Sequence, residues 1–323
     1  MVLNSTRRRS LLGAALAGIG LLAGRPAWAQ TAPAQAAPAK LARPVRVASK
    51  IDTEGSLLGQ LILQVLEAGG IKTENRLQLG GTPIVRAALL AGEIDLYPEY
   101  TGNGAFFFAD EKNPVWKNRL AGWARVKALD AEKNKLVWLP CAPANNTWAI
   151  AIRQDVAARH QLKTLADFGR WVTAGGQVKL AASAEFVERP DALPAFQAAY
   201  GFKLKQSQLL TLAGGDTAAT VRAAAEQSSG VNAAMAYGTD GPVAALGLLI
   251  LEDSLGVQAV YAPAPVLRAE LLAQEPRIAT LLAPVFAALD APTLQRLNAQ
   301  IALVGQDARK VAQVWLKTKG LVK

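Results

Sequence analysis

Three observations predict an α/β fold built as two lobes. Between residues 45 and 100 the apolar pattern switches between strand and helix periods. It runs "VRVAS", "DTEGSLLGQLILQVLEAGG", a short strand near Arg76 to Leu79, "TPIVRAALLAG" and "EIDLY". Strand-helix-strand-helix-strand in this order is the pattern of a sheet with parallel strands covered by helices. A downstream stretch, "GGDTAATVRAAAEQSSGVNAAMAYGTDG", echoes "GGTPIVRAALLAGEIDLYPEYTG", with Tyr237 and Tyr100 in matching places. Two similar lobes would produce this echo, and so would coincidence in Ala/Gly-rich sequence. The chain has 323 residues, 51% hydrophobic and 19% charged, which suffices for one large or two medium cores.

Each element has local reasons. Leu57, Leu58, Leu61, Ile62, Val65 and Leu66 repeat at helical spacing, and Gly69-Gly70 end that helix. Thr82 is a good N-cap, Pro83 suits the first helical position, and Gly92 stops the second helix. "WAIAI" after "NNT" reads as a strand carrying the chain into a second lobe, and "YGTDG" marks the way back. "VKLAASAEFVERPDALPAF" gives a strand, a loop with Glu185 and Arg189, and a Pro-opened helix. The final helices, near "LAPVFAALDAPTLQRLNAQ" and "DARKVAQVWLKTKG", are read as structural. The lobes are therefore expected at 45–146 with 240–323, and at 147–239.

The first residues belong to export, not to the fold. Arg7, Arg8 and Arg9 precede an apolar run from Leu11 to Leu22, and Ala27-Trp28-Ala29 forms an A-x-A cleavage site. This predicts a signal peptide over 1–29, of twin-arginine or Sec type, and a soluble periplasmic protein. Residues 30–44, "QTAPAQAAPAKLARP", are a Pro/Ala linker expected to be disordered. The net charge of +10 falls to +6 without the four signal arginines. There is no basic block interleaved with aromatics, so nucleic acid is not the expected partner.

Counts of reactive residues narrow the chemistry. One cysteine, Cys141, cannot form an internal disulfide. One histidine, His160, sits in a polar helix-like stretch with no nucleophile elbow, and no His/Cys cluster offers a metal site. No catalytic residue, cofactor or metal is expected. An exported enzyme using Glu185 or Asp240 as a base remains the alternative of a different class.

"LYPEYTGNGAFFF" places Tyr97, Tyr100 and Phe106 to Phe108 in a Pro- and Gly-broken stretch. Tyr97 and the three phenylalanines are core candidates; Tyr100, in the turn, faces either a satellite core or a ligand. Four aromatics stand at strand ends or crossings: Tyr100, Trp148, Tyr237 and Tyr261. Lys50, Asn103 and Arg189 lie in similar turns. Aromatic faces attract a cation that cannot be neutralised, and Lys and Arg suit a carboxylate. A site with both halves fits a zwitterion with a quaternary ammonium at one end.

"VASKIDTEGSLLGQLILQVLEAGGI", "GGTPIVRAALLAGEIDLYPEYTGNG", "SAEFVERPDALPAF" and "MAYGTDGPVAALGL" closely resemble the substrate-binding proteins of osmoprotectant ABC transporters, the glycine betaine/choline family. The resemblance runs from about residue 45 to the C-terminus, with the motifs in the same order. It is closest to the periplasmic, osmotically regulated branch with weak glycine betaine binding. It implies a type II periplasmic-binding-protein-like fold with ligand in the interlobe cleft. It implies an aromatic cage of Tyr100, Trp148, Tyr237 and Tyr261, and carboxylate contacts from Lys50, Asn103 and Arg189. Trp148 stands where better-binding relatives carry tyrosine, and Asn103 where they carry threonine. The implied partners are a quaternary-ammonium zwitterion and the membrane permease subunits of an ABC importer, with the protein itself a monomer. Choline, ectoine or an amino acid is the alternative ligand.

Overall fold

Two five-stranded mixed sheets, each flanked by helices, carry the described residues of this computed structural model, 41–212 and 216–323. The expected signal peptide, residues 30–40 of the linker, and Gly214-Gly215 of the echo lie outside the described residues. The strands are β1 (Val45–Lys50), β2 (Thr73–Gly80), β3 (Leu96–Tyr100), β4 (Leu136–Trp138), β5 (Trp148–Arg153), β6 (Leu180–Ser183), β7 (Leu209–Leu212), β8 (Ala233–Tyr237), β9 (Leu248–Ile250) and β10 (Pro263–Arg268). The first sheet has the order β2-β1-β3-β10-β4 and the second β7-β6-β8-β5-β9.

These orders are one topology used twice. In the first sheet β1 runs parallel to β2 and β3, and β10 is antiparallel to β3 and β4. In the second, β6 runs parallel to β7 and β8, and β5 is antiparallel to β8 and β9. The echoing segments end in β3 and β8, which hold corresponding places. The antiparallel member of each sheet is the strand by which the chain arrives from the other one: β5 after the first sheet, β10 after the second.

The helix Thr53–Ala68 buries Leu57, Leu58, Leu61, Ile62, Val65 and Leu66, as the spacing predicts. Its N-cap is Asp52, whose side chain accepts from the Gly55 N–H at 2.7 Å. The C-terminal helices Arg277–Ala287, Ala291–Ala302 and Ala308–Thr318 pack against this helix and complete its core.

Four expectations are corrected. The linker is not free to residue 44: Arg43 makes two hydrogen bonds to Asp95, at 2.6 and 2.8 Å, fixing the chain before β1. Thr82 is not a cap. It opens the helix Thr82–Leu90, and Gly81 supplies the capping carbonyl to Ile84 and Val85. The return between sheets does not fall at residue 240. The apolar run after Gly247 adds β9 beside β5, and Glu252 still bridges to Thr164, so the second sheet keeps the chain past Ile250. Phe106, Phe107 and Phe108 are half-buried rather than core. Each lies under a cation: Arg189 at 4.3 Å, Arg86 at 4.3 Å and Lys133 at 5.3 Å.

Candidate functional site

Each sheet brings two aromatic residues to one end through the register of an antiparallel pair. Trp148 and Tyr237 are direct partners across β5 and β8. Tyr100 ends β3 opposite Pro263, and Tyr261 stands two residues before Pro263. Fixed pairing thus sets four rings at two strand ends, and all four line one small cavity. Its other walls are Lys50, Ile51, Asp52, Gly81, Thr82, Asn103, Asn146 and Glu185.

Local chemistry holds each ring. The Tyr100 hydroxyl donates to Glu54 at 2.8 Å, and its N–H donates to Glu99 at 2.6 Å. Tyr261 lies against Gly102, where an added Cβ would meet its ring carbon Cδ1 at 2.9 Å. The "YTGNG" turn therefore needs glycine at that position. Trp148 packs on Tyr261 with centroids 5.5 Å apart, and edge-on against Phe186 at 5.8 Å. Its buried indole N–H has no hydrogen-bond partner among the described residues. The Tyr237 N–H donates to Asp240 Oδ2 at 2.7 Å.

The polar residues expected to meet a carboxylate are already joined to one another. Lys50 Nζ donates to Glu99 Oε1 at 2.7 Å and sits 4.8 Å from the Tyr100 ring centroid. Glu99 is fully buried, and it also accepts from the Tyr97 hydroxyl at 2.8 Å and Asn103 Nδ2 at 2.7 Å. Asn103 Oδ1 accepts from Arg189 Nη1 at 3.0 Å. Arg189 is further held by Glu185 at 2.9 Å and Asp191 at 2.6 Å, and stacks on Trp148 at 4.5 Å. Six of the seven sequence-predicted residues line the cavity. Arg189 lies behind Trp148 and Glu185, with its charge spent on Asp191 and Glu185.

Burial shifts the acids around this wall. It pushes Glu54 up, against hydrogen bonds from Asn298 and Tyr100. It pushes Asp52 up, opposed by the Gly55 N–H and by the charge of Lys50. It pushes Asp240 up to about 7, against the Tyr237 N–H. For Arg189 burial works downward, but the Asp191 hydrogen bond and the nearby negative groups outweigh it and hold the guanidinium firmly charged.

Sequence reasoning missed Asp52, Asn146 and Glu99. Asn146 donates to Glu54 at 2.9 Å and leaves its buried carbonyl oxygen unpaired. Glu99 had a signal: a glutamate inside a strand of otherwise buried residues must have partners. Asp52 sits at the helix start, where a cap is expected, and nothing in the spacing shows that it also faces the cavity.

The arrangement offers ring faces, a satisfied ionic network and no nucleophile-base pair among these cavity residues. Ring faces of this kind attract a small cationic group. Residues 43–318 match the family described as the substrate binding domain of the ABC-type glycine betaine transport system. The chain is 64% identical over 286 residues to the glycine betaine-binding protein YehZ of Escherichia coli K12, covering 88% of this chain and 94% of that protein. It superposes on the apo structure of YehZ with a TM-score of 0.66, at 65% identity over 87% of this chain and 100% of that one. A glycine betaine/carnitine/choline ABC transporter structure shares the fold at a TM-score of 0.68 and 20% identity, covering 86% of this chain and 99% of that one. The fold is that of type II periplasmic binding proteins. With the sheets, the cavity and these likenesses together, the chain belongs to the family of substrate-binding domains of ABC-type glycine betaine importers, whose role is binding rather than catalysis.

Proposed function

We propose that this protein binds glycine betaine, or a related quaternary-ammonium osmoprotectant, between its two sheets and delivers it to the permease subunits of an ABC importer. The observation that carries this reading is the convergence of Tyr100, Trp148, Tyr237 and Tyr261 on one cavity by strand register. A trimethylammonium group has no N–H to donate, so hydrogen-bond acceptors cannot select it. Ring faces can, each contributing about 0.5–2 kcal/mol depending on desolvation. The ligand carboxylate would meet Lys50, whose ammonium has three donors, and the unpartnered Trp148 N–H. Arg189 and Asn103 act as positioning residues, since their mutual bond joins the turn after β3 to the segment after β6. Export by an N-terminal signal peptide to the periplasm, action as a monomer, and two lobes divided between the two sheets complete the reading.

Titration calorimetry of the mature protein with glycine betaine, choline, ectoine and proline tests it. Saturable one-to-one binding of a trimethylammonium solute, lost when the rings are truncated, is expected. Binding confined to solutes without a quaternary ammonium would overturn it.

A further inference from the structure

The rings cannot tell glycine betaine from choline, because both present the same trimethylammonium head. The difference is net charge: choline is a cation and glycine betaine a zwitterion. The question is therefore what charge the cavity presents. Lys50 is paired with Glu99, and Arg189 with Glu185 and Asp191. Asp52 lines the same cavity, and its carboxylate has no cation within ion-pair distance among the described residues. The charged residues of the cavity wall are therefore Lys50, already paired with Glu99, and two carboxylates, Asp52 and Glu185, of which Glu185 is paired with Arg189 behind it. Nor does Glu54 bring a cation with it, since it accepts from the neutral groups of Tyr100, Asn146 and Asn298.

We propose that Asp52 is a specificity-determining residue that reads the net charge of the ligand, favouring a quaternary-ammonium cation over a zwitterion. A cation is attracted by Asp52 wherever it lies in the cavity. A zwitterion gains at its head and loses at its carboxylate, so the same charge discriminates between them. Capping the helix Thr53–Ala68 does not require this charge. Asn and Ser cap as well as Asp through a side-chain oxygen, so a neutral residue would serve the helix. What a neutral cap would lack is the negative charge of the ionised carboxyl, a form that burial opposes and the nearby Lys50 favours. This inference rests on the proposed quaternary-ammonium ligand.

The test compares wild type, Asp52→Asn and Asp52→Ser by titration calorimetry with choline and glycine betaine, alongside ligand-free thermal melts. In both variants the ratio of glycine betaine affinity to choline affinity should rise about tenfold, by the attraction of one partly buried charge. Ligand-free melting should change little, because the cap is kept. An unchanged ratio in both variants, whether or not both ligands weaken together, would make Asp52 a cap alone and overturn the proposal. If neither ligand binds even the wild type, the proposed function itself fails and takes this inference with it.

Discussion

On the first sheet Tyr100 is fixed at both ends, its hydroxyl on Glu54 and its N–H on Glu99; on the second, Trp148 leaves its indole N–H unpartnered. The first side is anchored by buried carboxylates, Glu54 and Glu99, with exposures of 5% and 0%. The second side relies on ring packing and on Glu185, whose side chain is 26% exposed. The same strand topology thus supports one pre-set wall and one adaptable wall. A rigid ring on one side gives a defined seat for a cation, and free polar groups on the other can adjust to what is attached to it.

The largest expected effect comes from breaking the anchored side. Glu99→Ala strands the ammonium of Lys50, a residue only 7% exposed, and should cost about 3–5 kcal/mol of stability. Glu185→Ala, on the half-exposed side, should cost under about 1 kcal/mol. Denaturant melts of the two variants check this, and similar losses would erase the contrast between the walls.

Tyr100→Phe removes a buried donor to Glu54 and should lower stability by about 1–3 kcal/mol. Tyr237→Phe should cost far less, since its anchoring bond is a backbone one to Asp240. Thermal unfolding without ligand separates them. Truncation to alanine asks about ring faces: Tyr100→Ala and Tyr237→Ala should each weaken glycine betaine by about 1–2 kcal/mol, or roughly 5- to 30-fold. Calorimetric affinities that survive both truncations would rule the rings out as the seat.

A further test is in pH. Asp240 titrates at about 7 when folded, above its unfolded value near 4, because burial disfavours its charge. The folded state therefore holds the extra proton between those values. Stability should fall as pH rises from about 4 to about 7 and level off above. Asp240→Asn, which can still accept the Tyr237 N–H, should flatten that part of the curve. An unchanged slope would place the titration elsewhere.

The sequence by itself determined several of the elements and their order, because periodicity and punctuation are local. The apolar face of Thr53–Ala68, β1, β5 and β6 all follow from neighbouring residues. It also singled out the four aromatics, since strand ends are legible from where an apolar run stops. It could not place β9, because three apolar residues after a glycine pair only when β5 lies beside them. It read Lys50, Asn103 and Arg189 as ligand contacts but could not show that Glu99, Glu185 and Asp191 engage them as well. Lys50 lies 49 positions from Glu99, and Asn103 lies 86 from Arg189. Pairing across such distances depends on which strands lie side by side and on which segments of the two sheets meet. Only the tertiary structure decided which charges were spent and which, like Asp52, faced the cavity unpaired. Electrostatic energy follows distance in space, and local sequence pattern does not carry that distance.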